Sequence, residues 1–339
     1  MEKMVINKLQ KIIEQYQKYT FVNATKNLIY HLQTREKRVS FGSLNPDKTF
    51  YVIRSIDDKN RFYIGPINNL LANYFYVLSH LAYAQKKGWI PVIDMLNYPV
   101  YNSLPYPING TMNAWEYFWQ QPSQYTLDEV YQSKNVILSK QNWFSQYDMG
   151  YEPSHYDDSK LIKKFFQLAA TVPLNYKAEN IINQKSEEIL KNKKNILGIA
   201  FRFGGHSKKH FAKATGHPVQ PDIEEMIKLA KIYLDKWGMK YIFLTSDTEE
   251  AVQAFKKIFK DKLIVLKRER FSELLKKGEI NNLYSQENLY QTSLNYLTEM
   301  ILLSRCDCLI GSINSGLRYA VIQNNCKYKN VKILDYGYI

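Results

Sequence analysis

Residues 196–221 read ILGIAFRFGGHSKKHFAKATGHPVQP, and they decide how the rest of the chain is interpreted. The first six of them are apolar, with the length and β-branched character of a buried strand. That run ends at Arg202, and two glycines and a cluster of lysines and histidines follow it. A buried strand followed by arginine, glycine and cations is typical of the loop at the carboxyl end of a parallel strand. α/β proteins bind their ligands at that end.

The loop at 202–221 is strongly cationic, and its sequence contains no carboxylate. Three of the six histidines in the chain lie in it. Its positive field suits an anionic ligand, most simply a phosphate or a diphosphate. A solvated basic surface is the commoner interpretation of such a composition, but the strand before it and the helix after it favour a binding site. The candidate binding residues are Arg202, Gly204, His206, Lys208, His210, Lys213 and His217.

The second half of the chain alternates strands with helices. Strands are predicted at residues 196–201, 241–245, 263–266, 308–311 and 331–336, with helices at 222–237 and 291–304 among those between them. This alternation predicts a parallel sheet with helices on both faces, which collects the loops after the strands at one edge. Residues 267–286 are polar and charged, and no element is predicted there.

Two further loops should meet Arg202 at that edge. Ser246 and Asp247 follow the second strand of this half, where they also suit the start of a helix; the two roles are compatible. The loop after the 308–311 strand is small and polar and opens a helix, so its N–H groups can receive phosphate oxygens. Its candidate residues are Ser312, Asn314, Ser315, Gly316 and Arg318.

The first half is also predicted to be α/β. A strand at 48–56, a helix at 68–87 and a strand at 89–95, with Asp94 near its end, form a β-α-β unit. Residues 1–40 predict one or two basic helices. The polar run KNKK at 191–194 suggests a boundary, which gives an N-terminal domain of residues 1–190 and a C-terminal domain of residues 191–339.

Residues 97–122 are rich in Tyr, Pro, Asn and Trp and show no periodicity. Long irregular stretches of this kind are often functional. Asn113, Trp115 and Glu116 lie here, and aromatic rings beside a carboxylate suit a sugar acceptor. Aromatic side chains cover the edge of a sheet equally well, so both interpretations stay open.

Composition narrows the class of partner. The net charge of +14 indicates an anionic partner, which could be nucleic acid, an acidic membrane surface or a phosphorylated substrate. No GxGxxG, P-loop or RNA-binding motif occurs, so nucleic acid is not expected. Three cysteines fit a reducing compartment, and no secretory or membrane-spanning segment is apparent, so the expected location is cytoplasmic. The N-terminal helical pattern can lie on an acidic membrane or pack on its own domain.

Three segments together carry a resemblance to a known family. R-x-G followed by GHPVQP, then YIFLTSD, then CDCLIGSINSGLRYA resemble the three-motif core of the fucosyltransferase superfamily. Within it, the chain is most similar to bacterial proteins related to nodulation fucosyltransferases and core α1,6-fucosyltransferases. INNLLANYFYVLSHLAYAQKKGWIPVIDM and MNAWEYFWQQP fit the same branch. The resemblance covers residues 50–121 and 196–339.

The resemblance implies a GT-B fold: two Rossmann-like domains whose parallel sheets face an interdomain cleft. It also implies a GDP-sugar donor, usually GDP-fucose, inversion at the anomeric carbon, and neither a metal nor another cofactor. Arg202 matches the family's β-phosphate ligand, and Asp247 matches an acidic residue near the nucleoside. Ser312, Asn314 and Ser315 match the phosphate-binding loop, and Arg318 matches a later arginine of that motif.

The first motif departs from the family pattern. Ala200 replaces a histidine, Phe203 replaces a second arginine, and the family's acidic candidate base has no counterpart. His210 is the first candidate base because a histidine pKa lies near neutrality. Asp94 and Glu116 are the alternatives.

The sequence thus predicts an inverting, metal-independent transferase that moves fucose from GDP-fucose to a glycan acceptor of a bacterial surface polysaccharide. Two alternatives stay open. One is a basic α/β protein that binds nucleotide, nucleic acid or an acidic polymer without catalysis. The other is a degenerate transferase that only binds nucleotide.

Overall fold

Two β-sheets, one in each half of the chain, organise the residues described by the computed structural model: 35–55, 70–141, 154–202, 218–270, 272 and 286–337. The first sheet contains β1 (Lys37–Val39), β2 (Phe50–Arg54), β3 (Ile90–Asp94) and β4 (Val136–Leu138), in the order β1-β4-β2-β3. β2 runs parallel to β3 and to β4, and helix α1 (Leu70–Lys87) lies between β2 and β3 in sequence. The predicted β-α-β unit is confirmed.

The edge of this sheet differs from the prediction. Residues 37–39, predicted to be helical, form β1, which pairs antiparallel with β4, so the sheet is not wholly parallel. Residues 136–138, for which no element was predicted, form β4. Each strand has three residues, too few to show a period along the chain. Their pairing with neighbouring strands makes them β-structure.

The second sheet confirms the predicted parallel arrangement. It contains β5 (Ile196–Phe201), β6 (Tyr241–Ser246), β7 (Leu263–Ile264), β8 (Cys308–Ser312) and β9 (Asn330–Leu334). All pairs are parallel, and the order is β7-β6-β5-β8-β9. The chain builds outward from central β5 to β7 and then crosses to β8 on the other side. In such doubly wound sheets the ligand crevice opens where the strand order reverses, here between β5 and β8.

Side-chain caps and glycines set several helix ends. The other described helices are α2 (Leu127–Val130), α3 (Ser154–Asp157), α4 (Ser159–Ala169), α5 (Tyr176–Leu190), α6 (Ile223–Lys236), α7 (Glu249–Phe259), α8 (Gln286–Ser304) and α9 (Ser315–Asn324). Asp158, Asn175, Asp222 and Asn314 accept hydrogen bonds from first-turn N–H groups of α4, α5, α6 and α9. Gly88 and Gly238 follow α1 and α6 with φ of +68° and +65°, as expected after a helix. No helix among these is long and apolar enough to cross a membrane.

One apolar core runs across both halves. Helix α1 of the first half packs on α4 and α9, and α5 packs on α8. The Tyr74 ring of α1 lies 5.0 Å from the Tyr319 ring of α9, and it also contacts Trp115 and Trp119. Trp115 is buried among these rings, so it has a packing role and does not present an exposed platform for a sugar. Helices that precede residue 191 thus pack on elements that follow it, and the domain boundary at 191 stays a prediction.

Asp307 ties the amino ends of three strands together. Its Oδ2 accepts a hydrogen bond from the Ile196 N–H at 2.9 Å, and its Oδ1 lies 3.0 Å from Lys329 Nζ. Partial burial alone would raise the pKa of this carboxyl, but the bonds from Ile196 and Lys329 outweigh it and hold the pKa below its usual range.

We expect Asp307→Asn to lower the free energy of unfolding by about 1 kcal/mol at pH 7. The native state favours the ionised carboxyl. This contribution is therefore present above the unfolded-state pKa of about 3.9, and it disappears as pH falls through the folded-state pKa. Urea denaturation of wild type and variant at pH 7, 5 and 3.5 measures the difference. A difference that stays constant over this range would contradict the assignment.

Candidate nucleotide site

The predicted donor residues after β5 and β6 lie side by side. Phe201 and Ser246, the last residues of these strands, are in register, so Arg202 and Asp247 leave the sheet next to each other. Arg202 Nε lies 3.8 Å from Asp247 Oδ2, and the side chains are 43% and 34% exposed. So exposed an ion pair contributes little to stability. At these exposures both groups are accessible to a ligand at the carboxyl edge of the sheet, and Arg202 lies next to the switch point.

The third predicted loop follows β8, on the other side of β5. Asn314 begins α9: its Oδ1 accepts from the Leu317 N–H at 2.9 Å, and its Nδ2 donates to the Ser312 carbonyl at 2.8 Å. The Ser312 hydroxyl is buried and donates to Gln220 Oε1 at 2.6 Å. Side chains thus fix the loop, and the N-terminus of the ten-residue α9 carries the partial positive charge of its free N–H groups.

The remaining residues predicted in these loops are buried. The Ser246 hydroxyl accepts from the Thr248 N–H at 3.4 Å, and Ser315 is also buried. Gly316 lets two helices approach, because a Cβ atom there would lie 2.6 Å from the Tyr296 hydroxyl and 2.7 Å from Met300 Sδ on α8. Burial gives each of them a structural role, and contact of these residues with the donor stays a prediction.

Arg318 reaches towards the first half of the chain. Its side chain is buried, and the guanidinium carbon lies 3.8 Å from the centre of the Phe75 ring on α1. This is a short cation–π contact. In this structure Arg318 therefore connects α9 to α1, and a contact with the donor stays a prediction.

Asp94, an alternative base, is a hydrogen-bonding centre after β3. Its carboxylate is fully buried and accepts from the N–H groups of Leu96 and Asn97 at 3.0 and 2.8 Å, from Asn97 Nδ2 at 2.8 Å and from the Tyr131 hydroxyl at 2.5 Å. Burial, together with the bond to Asp94, raises the pKa of Tyr131. These bonds account for a buried carboxylate without a catalytic role.

Glu116 is held in the same way. Its carboxylate accepts from Thr111 Oγ1 and Gln121 Nε2, each at 2.7 Å, and from Asn113 Nδ2 at 3.3 Å. Asn113 also bonds the Ile93 carbonyl and the Met95 N–H, so this cluster fixes the 111–121 segment against the end of β3. The choice between Asp94, Glu116 and His210 as the base stays open.

The rest of the predicted loop lies outside the described residues. Gly204, His206, Lys208, His210, Lys213 and His217 belong to it. Within the ranges that the structure does describe, no cluster of three or more His, Cys, Asp or Glu side chains is arranged to hold a metal ion.

Sequence analysis missed a buried ionic network beside Asp247, the Arg268 cluster, formed by Arg268, Arg270 and Glu299. Arg268 Nε and Nη2 lie 2.8 and 2.9 Å from the two Glu299 carboxylate oxygens, and Arg270 Nη2 lies 3.1 Å from Oε1. Arg268 Nη2 also donates to the Ser246 carbonyl at 2.8 Å. Burial lowers the pKa of Arg270, and Glu299 opposes that shift.

A signal for the arginines was present in the sequence. They follow the 263–266 strand, just as Arg202 follows β5, in a segment for which no element was predicted. Their partner Glu299 lies on α8, and only folding brings it to them. At this edge of the sheet Arg268 and Arg270 share the Glu299 carboxylate, and Arg202 lies beside Asp247.

The sequence matches no protein-family model and no curated protein. The structure is similar to solved fucosyltransferases. One is the α1,6-fucosyltransferase NodZ soaked with GDP-fucose, which is 15% identical in sequence. The match covers 81% of this chain and 93% of that chain, with a TM-score of 0.46. Another is POFUT1 in its apo form, which is 10% identical in sequence. The match covers 86% of this chain and 99% of that chain, with a TM-score of 0.43. A third is an Arabidopsis thaliana FUT1 mutant in complex with GDP, which is 13% identical in sequence. The match covers 86% of this chain and 72% of that chain, with a TM-score of 0.44. At these identities and TM-scores the similarity does not transfer an activity to this chain.

Proposed function

We propose that the chain is a glycosyltransferase that binds the diphosphate of a nucleotide sugar at the carboxyl edge of the five-stranded sheet. The observation that carries the proposal is the position of Arg202. It follows the central strand at the switch point, partly exposed, with the loop that begins α9 at the end of the neighbouring β8. A guanidinium and a helix N-terminus around one crevice are the groups that bind a diphosphate.

The chemistry follows from that placement. The bond between the anomeric carbon and the β-phosphate oxygen breaks, the nucleoside diphosphate leaves with its electron pair, and an acceptor hydroxyl forms the new glycosidic bond. A base takes the hydroxyl proton; His210 is the first candidate, with Asp94 and Glu116 as alternatives. Arg202 and the α9 N-terminus stabilise the charge that develops on the leaving diphosphate.

Finer assignments rest on the sequence motifs. Fucose as the sugar, GDP as the nucleotide, inversion, and transfer without a metal are implications of the resemblance at Arg202, Asp247 and residues 312–318. A glycan of a bacterial surface polysaccharide as acceptor has the same support. The excess of lysine and arginine supports contact with anionic partners, among them an acidic membrane surface.

Thermal melting with a nucleotide panel tests the proposal. We expect GDP at about 100 times its Kd to stabilise the protein by about 2.7 kcal/mol, hence to raise Tm by several degrees, with smaller shifts for UDP, CMP and ADP. Arg202→Ala should lose most of the GDP shift. Release of GDP from GDP-fucose would then separate a transferase from a nucleotide-binding protein without activity. No shift with any nucleotide, together with a salt-sensitive shift with an oligonucleotide, would favour a basic binding protein instead.

A further inference from the structure

Helix α8 contacts both strand-end loops of the proposed nucleotide site. Through Glu299 and Arg268 it reaches the carbonyl of Ser246, the last residue of β6. Through Tyr296 and Met300 it packs against Gly316, in the first turn of α9. These contacts lie within two turns of one helix, so α8 relates the β6 loop to the β8 loop.

The Arg268 cluster is better suited to fixing the position of the end of β6 than to stabilising the fold. The side chains of Glu299, Arg268 and Arg270 are 1%, 11% and 3% exposed. Burying an ion pair costs desolvation energy that its attraction often only balances, so such networks are weak evidence for stability. The Arg268 guanidinium is rigid and planar, and it holds both Glu299 oxygens and the Ser246 carbonyl. The end of β6 therefore has a fixed position relative to α8.

We infer that Arg268 and Glu299 are positioning residues for the nucleotide site. They hold the end of β6, and with it the Asp247 carboxylate that faces Arg202, in register with α8 and hence with the N-terminus of α9. The inference rests on the proposed function for its ligand, and on the observed contacts for its mechanism. Neither side chain needs to touch the nucleotide.

Nucleotide affinity provides the first test. We expect Arg268→Ala and Glu299→Gln to raise the Kd for GDP about tenfold, because displaced binding groups lose part of their charge-assisted hydrogen bonds to the diphosphate. Arg268→Lys keeps the charge but lacks the planar guanidinium, so its Kd for GDP should lie between those of these variants and that of wild type. Glu188→Gln, which removes the carboxylate of the exposed Lys185–Glu188 pair, is the matched control and should not change Kd. Calorimetry well below each Tm keeps unfolding out of the measurement.

A double-mutant cycle distinguishes positioning from general support of the fold. If Arg268 acts through Asp247, then Arg268→Ala combined with Asp247→Asn should bind GDP no more weakly than Asp247→Asn alone. Additive losses, or an unchanged Kd in Arg268→Ala, would overturn the inference. Arg268→Lys serves in the same cycle should the alanine variant fail to fold.

Hydrogen exchange of the free protein separates this inference from the proposed function. The amides of residues 246–248 should exchange about tenfold faster in Arg268→Ala or Arg268→Lys than in wild type and Glu188→Gln, because local opening costs less once the carbonyl bond is lost or weakened. Wild-type protein that binds none of GDP, UDP, CMP and ADP would overturn the proposed function. Faster exchange in the Arg268 variants would still show that Arg268 holds the end of β6. Unchanged exchange would overturn the inference whether or not GDP binds.

Discussion

Arg202→Ala is expected to abolish sugar transfer, with a fall of about 10²–10³-fold or more in kcat for GDP-sugar turnover. The leaving diphosphate gains negative charge in the transition state, and Arg202 is the partly exposed guanidinium at the end of the central strand. Removal of its side chain leaves that charge to water and to the α9 N-terminus. Release of GDP from GDP-fucose, followed with and without a glycan acceptor, measures the loss.

Two variants control for charge and folding. Arg202→Lys keeps the charge but cannot form two parallel hydrogen bonds to phosphate, so its activity should be intermediate. Arg38→Ala removes an exposed arginine from the edge strand β1 and should leave turnover unchanged. Because the Arg202–Asp247 pair is exposed, Arg202→Ala should unfold at nearly the wild-type denaturant concentration. Full turnover in Arg202→Ala would refute its role.

Tyr74→Ala should cause the largest loss of stability, about 3–5 kcal/mol in the free energy of unfolding. The Tyr74 ring is buried and stacks 5.9 Å from Trp115, with Trp119 at 5.1 Å and Tyr319 at 5.0 Å. Truncation leaves a cavity lined by large rings that cannot collapse into it. Because Tyr319 belongs to the second half of the chain, the variant should also weaken the contact between α1 and α9.

Tyr74→Phe is the matched control for this cavity. It keeps the ring and removes only the hydroxyl, which hydrogen-bonds Gln323, so its loss should be about 1 kcal/mol. Guanidinium denaturation followed by circular dichroism gives both values. Equal losses in the two variants would mean that the hydroxyl, rather than ring packing, is what Tyr74 contributes.

Much of the fold was predictable because its signals are local. β5 is a fully buried apolar run, α1 keeps helical spacing, and Gly88 and Gly238 follow helices with the positive φ that favours glycine. Strands β1 and β4 were not predictable, since three residues contain no period. Only pairing with strands distant in sequence makes them part of the sheet.

The candidate site also has features that the sequence predicted and features that only the structure showed. The order of strands and helices placed Arg202, Asp247 and the 312–316 loop at one edge, since parallel strands end together, and the 3.8 Å pair of Arg202 and Asp247 agrees with that prediction. The sequence did not show that Asp94 and Glu116 accept several hydrogen bonds each within the first half. Nor did it place Arg318 against Phe75.

By itself the sequence determined the parallel sheet of the second half and the residues that follow β5, β6 and β8 at its carboxyl edge. These follow from hydrophobic periodicity and from the direction of parallel strands, both properties of short segments. Tertiary structure decided which of those residues are accessible and which are committed to packing. It joined Arg268 to Glu299 and Tyr74 to Tyr319 across long stretches of chain. Such pairings depend on how helices pack, which no short segment of sequence encodes.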